Sequence, residues 1–179
     1  CLRAHYNLGL INKAEGNLND AITSFKFVAR FKPDLAEAHI SIGAILFEQG
    51  LVSAAIDSLK TALHYQPRSA QAHNNLGLCL SSIGDFKSAV HELQNAVSIN
   101  PEFAEAYNNL GLTLQKVENF PDAIDCFQKA LSLRKNFPEA HNNLGLALQE
   151  MGDIQMAIYN FKNALQLNPS LLEVKCNLS

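Results

Sequence analysis

The 179-residue chain has no Trp, two Met, four Cys and charged side chains at only 17% of its length. Its formal net charge is −3, from 14 basic and 17 acidic residues, which argues against the basic face that a nucleic-acid-binding module needs. Apolar runs such as Ile42-Gly43-Ala44-Ile45-Leu46-Phe47 are far short of the roughly 20 residues that cross a bilayer, so no membrane span is expected. No basic segment followed by an apolar stretch opens the chain, and a start at Cys1 rather than Met reads as a piece cut from a longer protein. The cysteines, Cys1, Cys79, Cys126 and Cys176, form no CxxC and no close pair, so free thiols and, by default, a reducing cytoplasmic setting are expected. GxGxxG, the Walker lysine and GxSxG are all missing. What remains is 47% hydrophobic, which is a globular composition rather than a disordered one.

The glycines carry the organisation. Gly9, Gly43, Gly77, Gly111 and Gly145 stand 34 residues apart, and Gly16, Gly50, Gly84 and Gly152 form a second series seven residues behind. Ala21, Ala55, Ala89, Ala123 and Ala157 keep the same period, as do Ala4, Ala38, Ala72, Ala106 and Ala140. Pro33, Pro67, Pro101 and Pro169 mark the ends. The chain is therefore read as one domain over 1–179, an array of five repeats at 2–35, 36–69, 70–103, 104–137 and 138–171 with a truncated sixth at 172–179. Positions below are counted within a repeat.

Each repeat predicts two helices. Ala106, Leu110, Leu114 and Val117 follow a helical stripe, and Ala123, Phe127, Ala130 and Leu131 form the next. Gly at position 15 marks the helix end, and Asn17, Asp85, Asn119 and Asp153 are expected to cap the second helix. Pro121 suits its first turn. Gly at position 8 and Ala at position 20 leave no bulk where the two helices cross, and Phe25, Leu59, Leu93, Phe127 and Phe161 fill the adjoining space. Nothing alternates with period two, so the fold class is all-α, a stack of helix pairs. The fourth repeat departs from the pattern, with Glu118 for Gly and Lys135 for Pro, so the junction from Leu133 to Glu139 is expected to bend differently.

This wording resembles the tetratricopeptide repeat over essentially the whole chain. Ile42-Gly43, Leu76-Gly77, Leu110-Gly111 and Leu144-Gly145 carry it, each followed by Ala, a large apolar residue and Ala, as in Ala123/Phe127/Ala130. Position 4 departs, being His5, His39, His73, Tyr107 and His141 rather than Trp, and Val28 replaces Ala in the first repeat. The resemblance implies a right-handed α-α superhelix, a solenoid whose first helices line a concave groove. It also implies a binding scaffold for proteins or extended peptides, with neither catalytic residues nor a cofactor of its own.

In such a fold, positions 2, 5, 6, 9, 12 and 13 face the groove. Their distinctive content is Asn74-Asn75, Asn108-Asn109 and Asn142-Asn143, with Asn7 and Asn177 in the outer repeats and Ser41 interrupting. An Asn amide pairs with both polar groups of a peptide backbone. First helices about 10 Å apart would meet roughly every third residue of an extended peptide. The pattern is similar to the repeat arm of O-linked N-acetylglucosamine transferases, which keeps open a reading as the substrate-presenting arm of a glycosyltransferase. Asn is also common at this place in tetratricopeptide repeats that bind in other ways. The remaining groove charges are Arg3, Lys13 and Lys116 against Glu37, Glu48, Glu105, Glu139 and Glu150. A chaperone-type carboxylate clamp is excluded, because Asn74 and Asn108 stand where cations are wanted and Ile40 is apolar.

Metal chemistry finds no support. The position-4 histidines stand about 10 Å apart by the same helix spacing, too far to share an ion, and read as packing residues. His91-Glu92 lacks the second His of a zinc-protease motif, with Asn95 in its place. Asn177-Leu178-Ser179 is a glycosylation sequon by letters, on an expected helix. Leu171, Leu172, Val174 and Leu178 open a sixth first helix without its partner, so end-to-end self-association through that edge is expected. RNA binding is a further reading that the acidic balance disfavours.

Overall fold

The computed structural model describes residues 1–171 together with Val174 and Asn177. Leu172, Leu178, Cys176 and the last two residues of the sequon lie outside the described residues. Ten helices and no strand are found among the described residues, divided between two compact units, Cys1–Ile99 and Asn100–Ser179.

The first unit holds α1 (Leu2–Ala14), α2 (Leu18–Phe31), α3 (Ala36–Glu48), α4 (Val52–Tyr65), α5 (Ala70–Ser82) and α6 (Phe86–Ile99). They pack as the pairs α1–α2, α3–α4 and α5–α6, and each pair also touches the next. The second unit holds α7 (Ala104–Lys116), α8 (Phe120–Leu133), α9 (Pro138–Glu150) and α10 (Ile154–Leu167), paired in the same way.

The small residues decide how closely each pair approaches. A Cβ added to Gly43 would sit 2.7 Å from Leu59 Cγ and 3.2 Å from the Ala55 carbonyl oxygen. At Gly111 and Gly145 it would meet the rings of Phe127 and Phe161 at 2.6 and 2.5 Å. The large residue of the second helix thus rests directly on the glycine of the first. Around these contacts lie Ile42, Ile45, Leu59 and Leu76 in the first unit, and Phe161, Ala164 and Val174 in the second. Val117 does not join the stripe expected of it, because the helix has ended and it serves as an exposed C-cap.

Helix ends follow the backbone more than the side chains. Gly16, Gly50, Gly84 and Gly152 adopt φ of 76–82°, and the next residue returns its N–H to a carbonyl five residues back, as from Asp85 to Leu80 at 3.0 Å. Glu118 takes the same left-handed conformation at φ 61° and the same bond forms, from Asn119 to Leu114 at 3.0 Å. Capping of the second helix is narrower than the sequence suggests. Asp85 and Asp153 accept from Ser88 and Met156 N–H at 3.2 Å, whereas Asn17 and Asn119 make no side-chain cap. Their amides donate instead to the carboxylates of Glu15 at 3.2 Å and Asp122 at 2.7 Å, the stronger, charge-assisted partners.

The junction after α8 differs as expected. Between the other pairs a turn closes on its own N–H, Leu35 to Lys32, Ser69 to Gln66 and Leu171 to Asn168, each spanning a proline. With Lys135 in place of proline, no such bond is found at Phe137, whose φ is −135° against −78° at Leu35 and −93° at Ser69. Arg134 covers the gap, its guanidinium 3.6 Å over the Phe137 ring and 2.6 Å from Glu105.

Candidate functional site

Two of the position-4 histidines, His39 and His73, act on these turns. His39 Nε2 donates to the Pro33 carbonyl at 2.9 Å, and His73 Nε2 to that of Pro67 at 3.0 Å. Each ring therefore ties a first helix to the turn leading into it, a tighter task than side-by-side packing. The other ring nitrogen reaches across the pair, His73 Nδ1 to Glu92 at 2.6 Å and His141 Nδ1 to Asn160 at 3.0 Å. Among the described residues no group of three His, Cys, Asp or Glu side chains could hold a metal ion, and no helix is long and apolar enough to cross a membrane.

The groove-facing positions line openings within each unit. In the second, Asn108, Asn142 and Asn143 border a cavity of about 290 Å³ together with Leu112, Glu139 and Val174. A neighbouring cavity of about 470 Å³ is bordered by Gln115, Lys116, Leu146 and Glu150, again from α7 and α9. In the first unit a cleft of about 480 Å³ opens among α1, the end of α2 and the start of α3.

The asparagines are bonded to one another. Asn143 Nδ2 donates to Asn108 Oδ1 at 3.0 Å, from position 6 of one repeat to position 5 of the repeat before. The same step recurs when Asn177 Nδ2 donates to Asn142 Oδ1 at 3.2 Å. Asn108 is 6% exposed and Asn143 9%, so these amides satisfy one another below the surface. Asn109 is half-buried, and its backbone carbonyl accepts from Thr113 Oγ1 at 2.9 Å. In the first unit Asn74 is buried and donates to Asn75 Oδ1 at 3.2 Å, which also accepts from Gln71 at 3.1 Å. Sequence reasoning found these residues by their period but missed the register that links position 6 to position 5. The doublet itself was the signal, since a lone Asn per repeat has no such partner.

Several groove charges are already spent. Lys13 pairs with Glu48 at 3.5 Å, and Glu105 turns to Arg134. Thiol reactivity is suppressed at Cys79 and Cys126 as well. Burial pushes Cys79 from an ordinary 9.0 up to about 11, and Cys126 rises to about 11 through burial and the carboxylates of Asp122 and Asp125. Cys1, Cys79 and Cys126 are all free thiols.

Three models of the tetratricopeptide repeat match the chain, at residues 3–60, at 43–84 and 80–117, and at 102–170. The crystal structure of MamA is 30% identical over 94% of this chain and 96% of that chain, with a TM-score of 0.77. The chain belongs to the tetratricopeptide repeat family. Its all-helical fold, five repeats with a partial sixth, is that of the tetratricopeptide solenoid. A thermophilic TPR protein in Thermus thermophilus shares the fold at 22% identity, covering 99% of this chain and 97% of that chain with a TM-score of 0.81. YrrB, described as a TPR protein with an unusual peptide-binding site, shares it at 18% identity, covering 97% and 89% with a TM-score of 0.75. No curated protein matches the chain. Tetratricopeptide proteins are generally protein-interaction scaffolds, and that is the role this family membership supports.

Proposed function

We propose that this tetratricopeptide chain holds an extended polypeptide along its first helices, with Asn74, Asn75, Asn108, Asn109, Asn142 and Asn143 reading the peptide backbone. The supporting observation is the cavity of about 290 Å³ that opens onto Asn108, Asn142 and Asn143 beside Leu112 and Leu171. Asn143, which gives one N–H to Asn108, carries a second N–H that can serve a ligand. Bonding between Asn143 and Asn108 also holds both side chains in one orientation, which lowers the entropy lost on binding. In this reading the chain presents a partner and performs no chemistry itself.

The test is a random-peptide array probed with the wild type and with Asn75→Ala/Asn109→Ala/Asn143→Ala, both checked for helicity by circular dichroism. Loss of all peptides in the variant is expected. Unchanged binding would move the partner to another face of the repeats. The Asn-Asn-Leu-Gly wording favours a second reading, in which the repeats present substrate to a glycosyltransferase domain elsewhere in the same polypeptide. A parent reading frame holding only further repeats would remove it. Self-association through the C-terminal edge belongs to the same proposal, and light scattering that reports a monomer at millimolar concentration would end it.

A further inference from the structure

The groove-facing positions of the first repeat carry a different chemistry from the rest. Position 5 is Tyr6 where later repeats have Asn74, Asn108 and Asn142, and position 2 is Arg3 where they have Glu37, Gln71, Glu105 and Glu139. Position 27 is Val28, where every other repeat has Ala. These exchanges meet in the cleft of about 480 Å³, a size within the ~300–1,000 Å³ typical of ligand sites. Its walls are Leu2, Tyr6, Val28 and Leu35, and Arg3, Lys32 and Glu37 supply its charge.

Neither cation is committed. Among the described residues Arg3 and Lys32 form no ion pair, whereas Lys13, on the same helix as Arg3, is held by Glu48. Both are exposed, so their charge reaches a ligand at the mouth. The single carboxylate there, Glu37, leaves the cleft with two positive groups against one negative. The surroundings have the same sign. Residues 1–35 hold five basic and three acidic side chains in a chain whose net charge is −3.

We infer that this cleft is a side-chain pocket, which takes a large apolar residue of a bound peptide with an acidic residue directly beside it. The inference rests on the reading of the chain as a peptide holder and adds its preferred sequence. Apolar walls supply the gain from burying a large side chain. Arg3 and Lys32 add discrimination by charge, which acts between partners rather than as bulk affinity.

The experiment titrates the whole chain with N-acetyl-Phe-Glu amide, N-acetyl-Phe-Lys amide and N-acetyl-Ser-Glu amide, followed through methyl NMR resonances. Amidation leaves the side-chain carboxylate as the peptide's only anionic group. The methyls of Leu2, Val28 and Leu35 are expected to move with Phe-Glu, at about three- to tenfold higher affinity than with Phe-Lys. Raising salt to about 0.5 M should shrink that ratio, since the charges lie at the surface. Arg3→Glu/Lys32→Glu should reverse the preference and leave the circular dichroism spectrum unchanged. Methyls that stay in place at millimolar peptide, or equal affinity for all three peptides, would overturn the pocket. Because this readout is independent of the array, an array that fails while Phe-Glu binds here removes the asparagine reading and keeps the pocket. The converse removes only the pocket.

Discussion

The first repeat and the second unit use one scaffold for two surfaces. In both, a large residue of the second helix lies on a glycine of the first, Phe25 on Gly9 and Phe127 on Gly111. Yet position 5 is Tyr6 beside an apolar cleft in one, and Asn108 and Asn142 beside a polar cavity in the other. Gly at position 8, Ala at position 20 and a large residue at position 24 recur in all five repeats, while position 5 changes from Tyr6 to Ile40 and then to Asn74, Asn108 and Asn142. Position 5 can therefore change while the helix crossing stays the same, although Tyr6 also packs edge-on against Phe25 with ring centroids 5.4 Å apart. The first repeat differs in a second respect. Position 7 is 47% exposed at Leu8 and position 10 is 54% exposed at Ile11, but their equivalents in α3 and α5 are buried. There Ile42, Ile45, Leu76 and Cys79 lie in the core among the neighbouring helix pairs. Within the described residues α1 packs mainly against α2, which leaves Leu8 and Ile11 on its outer side.

The comparison is broken most severely by attacking what the two regions share. Phe127→Ala should cost about 3–5 kcal/mol, because a fully buried ring is removed and the helix pair cannot close over the gap. Urea unfolding measures it, and a position-5 variant such as Tyr6→Asn that cost as much would show that the shared glycine–ring contact does not dominate the stability.

The next effect isolates the asparagines. Asn143→Ala leaves the buried Asn108 oxygen without its donor and should cost about 1–3 kcal/mol. A double-mutant cycle with Asn108→Ala should return a coupling of about 0.5–1.5 kcal/mol. Zero coupling would show that the amides do not bond in solution.

Smaller still is the difference at the helix ends. Glu118→Gly relieves a left-handed residue and should stabilise the chain by about 1 kcal/mol. Gly84→Ala should cost a similar ~1 kcal/mol, through backbone strain alone, since nothing lies within 4 Å of the added Cβ. Thermal melts of the two variants shifting in the same direction would contradict this account.

The thiols give the least effect on stability and a clear one on reactivity. At pH 8, a pKa of about 11 leaves roughly a thousandth of Cys79 and Cys126 as thiolate, so iodoacetamide should label Cys1 first. Raised folded-state values mean that the native state holds these protons more tightly than the unfolded chain. Their contribution is present below pH 9 and falls away as the pH climbs from 9 towards 11. Equal labelling of Cys1, Cys79 and Cys126 at pH 8 would refute the shielding.

Periodicity alone made the fold class legible, because only a repeated helix pair requires Gly at position 8, Ala at position 20 and a large residue at position 24 together. The turns were half legible. Gly84 announces its left-handed backbone, but Glu118 shows that the pattern of bonds can enforce that conformation on a residue that resists it. Asn17 and Asn119 looked like caps, since residue type alone does not reveal that a carboxylate stands closer to the amide than the helix end does. The doublets Asn108-Asn109 and Asn142-Asn143 were visible as residues, and their chemistry was not. A 34-residue spacing says that two side chains are equivalent, never that one points at the other.

The sequence by itself determined the helix pairs and the core, because each depends on residues near in the chain and on a period that any reader can count. The tertiary structure alone decided three things: the bond from Asn143 to Asn108, the pairing of Glu105 with Arg134, and the cleft around Tyr6. All three depend on distances between helices, which local propensity does not encode and which close packing sets to within an ångström.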